Sequence, residues 1–277
     1  MARGLRETQI KAALQKKFNG WLKSLPDHLR STAKNNSLIT GGSIASLLLG
    51  EKMNDLDVYF KNLETSITFS EHYAKIHNMR TTGEDIEHVL LDITNIHGVV
   101  EQRYVIDNDT MPLRRLGKWE GEGEHAPRCF TSNAISLAGD IQLITRFYGS
   151  AEEIHKNFDF VHCTNVYDPS TNELHLSMEA LKSLMAKRLI YTGSLYPFAS
   201  VFRTKKFLLR GWDISAGQMM KMLLQINEIH MTAEVMRDQV VGVDATYMRR
   251  FLKLCGERNI DACDNTSMGQ ILDEIFE

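Results

Sequence analysis

The stretch from Ser37 to Phe60 constrains this chain more than any other. Ser37-Leu38-Ile39-Thr40 is a short apolar run, a strand pattern, and it ends at Gly41-Gly42. Ser43 follows where an N-cap would sit, ahead of the apolar run Ile44 to Leu49, and Gly50 closes that short helix. Asp55 to Phe60 then alternates polar and apolar, as a strand does. Two glycines let backbone pass close to a ligand with no Cβ in the way. A helix N-terminus aims N–H groups and a partial positive charge at an anion. Asp55 and Asp57 are two residues apart, so on a strand they project from one face while Leu56, Val58 and Phe60 turn to a core. Paired carboxylates are costly unless a cation neutralises them, and Mg²⁺ is usually held by one or two carboxylates plus substrate phosphates. Taken singly, a Gly-Gly-Ser turn is a common turn and an Asp-x-Asp is a common solvated pair. Their order and spacing in one segment give them weight together.

The pattern elsewhere divides the chain. Residues 7 to 24 read as an amphipathic helix, with Ile10, Ala13, Leu14, Phe18, Trp21 and Leu22 on one face. A helix is expected over 69–80, two strands between Glu87 and Ile106 with Gly98 near their turn, and a loop over 108–129. Phe130–Leu137 and Ile141–Phe147 read as a hairpin around Ala138-Gly139-Asp140. Gly149-Ser150 starts a helix, and Phe158–Val166 reads as a further strand. From Ser177 the pattern is helical, at 178–190, 197–210, 215–238, 244–258 and 267–276. The expected class is α+β: a mixed sheet flanked by helices, then a helical C-terminal region. The expected division is an N-terminal helix at 1–24, an α/β domain at 25–176 and a helical domain at 177–277.

Composition closes off some classes. Of 277 residues, 43% are hydrophobic and 24% charged, the balance of a globular protein. No run approaches the ~18 apolar residues of a membrane span, and the start lacks a signal-peptide core. The four cysteines form no C-x-x-C pair, which suits reduced thiols and a cytoplasmic setting. A net charge of −3 argues against nucleic acid coating the whole molecule, but the charge is uneven. Residues 180–212 hold seven basic side chains and no acidic one, and residues 1–34 hold eight basic and two acidic. Such stretches create a local positive field for phosphates, or form a solvated helix face. Arg203, Lys206 and Arg210 share one helical face at spacings of three and four and are the candidates for phosphate or nucleic-acid contact. His155, His162 and Cys163 lie close in sequence, but their spacing is not that of a zinc site.

The composite from Leu38 to Phe60 resembles the head of the DNA polymerase β-like nucleotidyltransferase superfamily. It is most similar to the strand, Gly-Gly, helix, Leu-Leu-Gly, Asp-x-Asp segment of tRNA CCA-adding and poly(A) polymerase heads. Phe130-Thr131-Ser132-Asn133-Ala134 is similar to the FT-x-NA segment of the same family. The stretch from Asn133 to Val166 also resembles phage-encoded nucleotidyltransferase-like proteins. The chain departs from the CCA type where Ala45-Ser46 replace an Arg-Asp pair, and where only Arg128 is left of the basic residues before FT-x-NA. Those departures point away from CCA synthesis.

The resemblance implies a nucleotidyltransferase-type mixed sheet and transfer of a nucleoside monophosphate from an NTP to a hydroxyl. The acceptor would be an RNA or tRNA end, a protein or a small molecule. Asp55 and Asp57 would hold Mg²⁺ or Mn²⁺, Gly41, Gly42 and Ser43 would bind the nucleotide's phosphates, and Arg203, Lys206 and Arg210 would assist from the helical region. Family members commonly add a third acid from a neighbouring strand. Asp159, flanked by Phe158 and Phe160, is the first candidate, and Asp140 on the hairpin turn is the second. The alternative is a fold kept without catalysis, as a binding or antitoxin-like protein.

Overall fold

The computed structural model describes residues 5–78, 87–94, 100–107, 125–130 and 133–229, and isolated positions beyond (239, 253–254, 270–271 and 273–274). The chain forms two compact units, Met1–Ala186 and Lys187–Glu277.

The first unit begins with α1, Glu7–Ser24, in agreement with the amphipathic pattern. The Gln9 side chain accepts the Arg6 N–H at 2.9 Å and closes its start. Ile10, Leu14, Phe18 and Trp21 recur every three or four residues and are all buried. A short helix α2, Asp27–Asn35, follows Pro26, whose fixed φ suits a helix entry. Then come β1 (Ser37–Thr40), α3 (Gly42–Leu48), β2 (Leu56–Phe60) and α4 (Leu63–Asn78). The last starts earlier than expected because the Asn62 side chain caps it, accepting the Thr65 N–H at 2.9 Å. Strands β3 (Glu87–Thr94) and β4 (Val100–Asp107) pair antiparallel as a separate ribbon. Gly98, expected at their turn, lies outside the described residues.

The remaining strands of this unit are β5 (Pro127–Phe130), β6 (Ala134–Leu137), β7 (Ile141–Tyr148), β8 (Val166–Asp168) and β9 (Glu173–His175). With β1 and β2 they make a seven-stranded sheet in the order β5-β6-β7-β2-β1-β8-β9. Its pairs are antiparallel except β2 with β7, which run parallel. The expected α+β class, a mixed sheet flanked by helices, is therefore what the chain adopts. The hairpin forms with Leu137 opposite Ile141, but its first strand starts at Ala134, because Phe130 belongs to β5 and pairs with Ile135. The expected loop over 108–129 is corrected at its end, where Pro127–Phe130 pairs with β6.

Alternation assigns each face of the sheet. Ile39, Leu56, Val58 and Phe60 meet α1, α2 and α4 in the main core, where Phe60 and Phe69 stack at 5.2 Å. Leu38, Tyr59 and Val166 turn the other way, onto Ile154 of α5 (Ala151–His155). Ser150 and Glu153 form a capping box at the start of α5. The strand expected at Phe158–Val166 is not formed. Asn157 and Phe158 close the end of α5 with N–H bonds to Ile154 and His155, and Val161–Cys163 winds into a 3₁₀ turn. The apolar alternation there comes from Phe158 packing on Tyr59 and Phe160 against His162, ring contacts that need no ladder.

Helix α6, Met178–Ala186, ends before the expected 190, because Lys187 takes φ +47 and Arg188–Leu189 extends as β10. In the second unit, β10 pairs in parallel with β11 (Asp213–Ile214). Pro197 opens α7 (Pro197–Leu209), as expected, and α8 spans Ala216–Asn227. Thr204 packs on Met222, and the Gln225 amide ties to Tyr191 and to both backbone groups of Ser194. The helices expected near 244–258 and 267–276 lie mostly outside the described residues. No helix among the described residues is long and apolar enough to cross a membrane.

Candidate active site

The site lies where β1 ends and β2 begins. Their antiparallel register pairs Ser37 with Phe60, Leu38 with Tyr59 and Ile39 with Val58. Carried one residue further, it sets Asp57 level with Thr40. The chain then turns at Gly41, with φ +98 and ψ −151, a conformation essentially reserved for glycine. A Cβ built on Gly41 would stand 3.1 Å from Asp57 Oδ2. The carboxylate therefore rests against the bare Cα of the turn. A Cβ on Gly42 would meet nothing within 4 Å, and Gly42 is exposed, so the next residue opens outward.

The turn is braced from behind. Gly41 N–H donates to Cys163 O at 3.2 Å, and Thr40 Oγ1 donates to Asn165 O at 2.7 Å. His155 Nε2 lies 2.8 Å from the same hydroxyl. A threonine has one proton to give, and if the short Asn165 contact takes it, the imidazole must donate to Thr40. Burial, opposed in part by Glu152, holds the His155 pKa below its usual range and favours the neutral ring.

Ser43 is not the N-cap that its sequence position suggested. Helix α3 starts at Gly42 with Gly41 as its cap, so Ser43 lies in the first turn. Its side chain is 2% exposed, and Oγ has no hydrogen-bond partner among the described residues. A buried hydroxyl without a partner is uncommon and costs about 1–3 kcal/mol. Gly50 closes the helix region with φ +71, as expected.

Asp55 is exposed just ahead of β2, and Asp57 is half-buried within it. Asp57 shares its face with Tyr59, opposite Leu56, Val58 and Phe60, while Asp55 precedes the strand. Asp140 lies at the same end of the sheet, because β2 and β7 run parallel and both start there. Its backbone oxygen accepts the Leu56 N–H at 2.9 Å. Sequence reasoning missed one further group. Lys17 on α1 is half-buried, and its Nζ donates to Asn54 O at 3.3 Å. Burial lowers the Lys17 pKa, and the charges of Asp140, Asp55 and Asp57 oppose that shift. The lysine was read as part of a basic stretch, and only tertiary packing brings it to the acids.

Asp159 stands differently from the strand position expected of it. It is buried in the bend between α5 and the 3₁₀ turn. Among the described residues no three His, Cys, Asp or Glu side chains are grouped to share a metal ion. His162 is buried beside Phe160, and Cys163 is half-buried. Within the FT-x-NA segment, Thr131 and Ser132 lie outside the described residues. Asn133 is structural: its side chain accepts from Arg146 at 3.0 Å, and its carbonyl accepts the Thr145 N–H at 3.0 Å. Arg203 and Lys206 lie on α7 of the second unit, and Arg210 is its C-cap, with the guanidinium 5.4 Å from the Phe207 ring centre.

The residues at the turn suit a divalent cation with a phosphate ligand. Asp57 lies against the turn with Asp55 two residues before it, Gly42 beside them is exposed, and the buried Ser43 hydroxyl has no partner of its own.

Solved structures similar to the chain include the Thermotoga maritima CCA-adding enzyme complexed with tRNA, at 13% identity and a TM-score of 0.42, covering 80% of this chain and 49% of that one. The Bacillus stearothermophilus CCA-adding enzyme in complex with CTP is 10% identical with a TM-score of 0.42, covering 90% and 52%. A protein described as Gabija anti-defense 2, from Bacillus phage SPbetaL7, is 22% identical over 219 residues, which are 76% of this chain and 42% of that protein. The chain thus spans about two fifths of the length of that relative. The model of the family described as "Gabija anti-defense 2 family protein" matches residues 12–187. That match takes in more than half of the chain and the whole of the Gly41–Asp57 turn, and the chain belongs to the Gabija anti-defense 2 family.

Proposed function

We propose that this chain is a metal-dependent nucleotidyltransferase that moves a nucleoside monophosphate from an NTP to a hydroxyl acceptor. The observation that carries the reading is the seating of the Asp57 carboxylate on the Gly41 Cα, with Asp55 exposed two residues before it. Asp55 and Asp57 would hold Mg²⁺ or Mn²⁺. The bound ion would supply Lewis acidity, easing deprotonation of the attacking hydroxyl and neutralising the pyrophosphate leaving group. The chain's own residues position the reactants. Gly42, open to solvent, lets the β- and γ-phosphates approach the start of α3. The buried Ser43 hydroxyl offers them a hydrogen bond. In-line attack at the α-phosphate is then mostly a matter of orientation and charge. Asp159 or Asp140, the latter at the same sheet end as Asp55, would be the third acid. Arg203, Lys206 and Arg210 would contact phosphates, of the nucleotide or of a nucleic-acid acceptor. The family's name further suggests that the transfer acts in the host cytoplasm, on behalf of a phage, against a bacterial defence.

The deciding assay uses α-labelled NTPs with Mg²⁺ across RNA, tRNA and protein acceptors. Wild type should label one of them and Asp57→Ala should lose at least about 10²-fold, the scale for removing a transition-state electrostatic group. Equal labelling by both proteins rejects the assignment. The competing reading, a non-catalytic or antitoxin-like binder of the same fold, draws on Lys17 as a cation already beside the acids. It requires that calorimetry find no Mg²⁺–NTP binding.

A further inference from the structure

Lys17 is the one cation in this neighbourhood that comes from a different layer of the fold. Its helix is fixed by Leu14, Phe18 and Trp21, each at most 1% exposed, so the Lys17 backbone cannot drift. The side chain reaches across to Asn54 O at 3.3 Å, the residue directly before Asp55. Asp55, Asp57 and Asp140 all act on its charge, and they share that end of the sheet because β2 and β7 start together. A half-buried ammonium held on the carbonyl next to Asp55, in the field of three acids that oppose the effect of its burial, is not a solvated helix face. A lysine is suited to this because its flexible stem lets the head move without moving the backbone.

We propose that Lys17 is a resident counter-cation of the Asp55–Asp57 pair, and that a divalent ion binds there by displacing its ammonium. This rests on the reading of Asp55 and Asp57 as the metal pair. The lysine keeps the acids from repelling one another while the site is unloaded. On loading, the ammonium moves away from Asn54 O and is left beside the incoming phosphates, where its charge is again balanced. Metal affinity is thereby set by a competition built into the protein, and metal with NTP loads more readily than metal alone.

The test measures Mn²⁺ binding to the full chain by electron paramagnetic resonance, without nucleotide. Lys17→Met keeps the stem and removes the charge, and should bind Mn²⁺ at least about tenfold more tightly than wild type, since a like charge nearby is taken away. Lys17→Arg keeps the charge and should stay within about threefold of wild type. Mn²⁺ binding by Lys17→Met that is no tighter than wild type overturns the proposal. Asp57→Asn separates the two possible failures. If it weakens Mn²⁺ binding while Lys17→Met matches wild type, the acid pair stands and the lysine's role falls. If Asp57→Asn binds as tightly as wild type, the metal assignment itself is wrong and the lysine's role goes with it.

Discussion

Gly41→Ala is the sharpest perturbation of the site, because neighbouring Gly42→Ala is its control. Gly41 has φ +98 and ψ −151, in the region that only glycine occupies readily, and holding an alanine there costs about 1–3 kcal/mol. The new methyl would also lie 3.1 Å from Asp57 Oδ2, so the carboxylate must give by a few tenths of an ångström. For a unit of about this size, 1 kcal/mol moves Tm by roughly 2–4 °C, so Gly41→Ala should melt about 2–12 °C below wild type. Activity should fall further than stability, since displacing a catalytic group by about 1 Å can cost 10²-fold. At Gly42 a Cβ meets nothing within 4 Å. Gly42→Ala should therefore melt within about 1–2 °C of wild type. Any loss it shows should be in NTP affinity, since its methyl would crowd only an incoming phosphate. Calorimetry and the labelling assay read both quantities. Gly41→Ala melting with wild type, or Gly42→Ala melting as low as Gly41→Ala, would refute the geometry on which the site rests.

Two further predictions concern the frame around the site. The Trp21 indole N–H donates to Tyr73 Oη at 2.7 Å inside the core, so Tyr73→Phe strands a buried donor. It should cost about 1–3 kcal/mol in chemical denaturation, and no measurable change would mean that the bond contributes nothing. Lys61 Nζ meets Asp168 Oδ2 at 2.7 Å beside Ser170. Burial alone would raise the Asp168 pKa, but hydrogen bonds from Lys61 and Ser170 outweigh it and hold the carboxyl below its usual 3.8. A depressed folded pKa stabilises above the unfolded value and is lost as pH falls through the folded one. The Tm gap between wild type and Asp168→Asn should thus be open at pH 6 and close below about pH 3.8 in thermal melts. A gap that widens on acidification contradicts the pairing.

Much of this was legible in the sequence because period alone encodes it. The Ile10, Leu14, Phe18, Trp21 spacing gave α1 its buried face, and the alternation from Leu56 to Phe60 put Asp57 opposite the core. Asp159 misled because two aromatics around an acid imitate strand alternation, whereas Phe158 and Phe160 are fixed by ring packing across a bend. Ser43 misled because the chain enters the helix through Gly41, whose φ of +98 suits glycine, so the helix began two residues sooner. Lys17 was invisible for a different reason. A lysine beside three others in a basic stretch has no local mark of its partners, which come from residues 55, 57 and 140.

The first helix had been expected to stand as a segment of its own. Instead its inner side is locked into the main core by Phe18 and Trp21, while Lys17, directly before Phe18 in sequence, reaches Asn54 O beside the acids. That makes the helix a rigid lever with its fulcrum in the core. A repacking at Trp21 that turned it by a few degrees would change the charge at the rim with no residue of the turn altered.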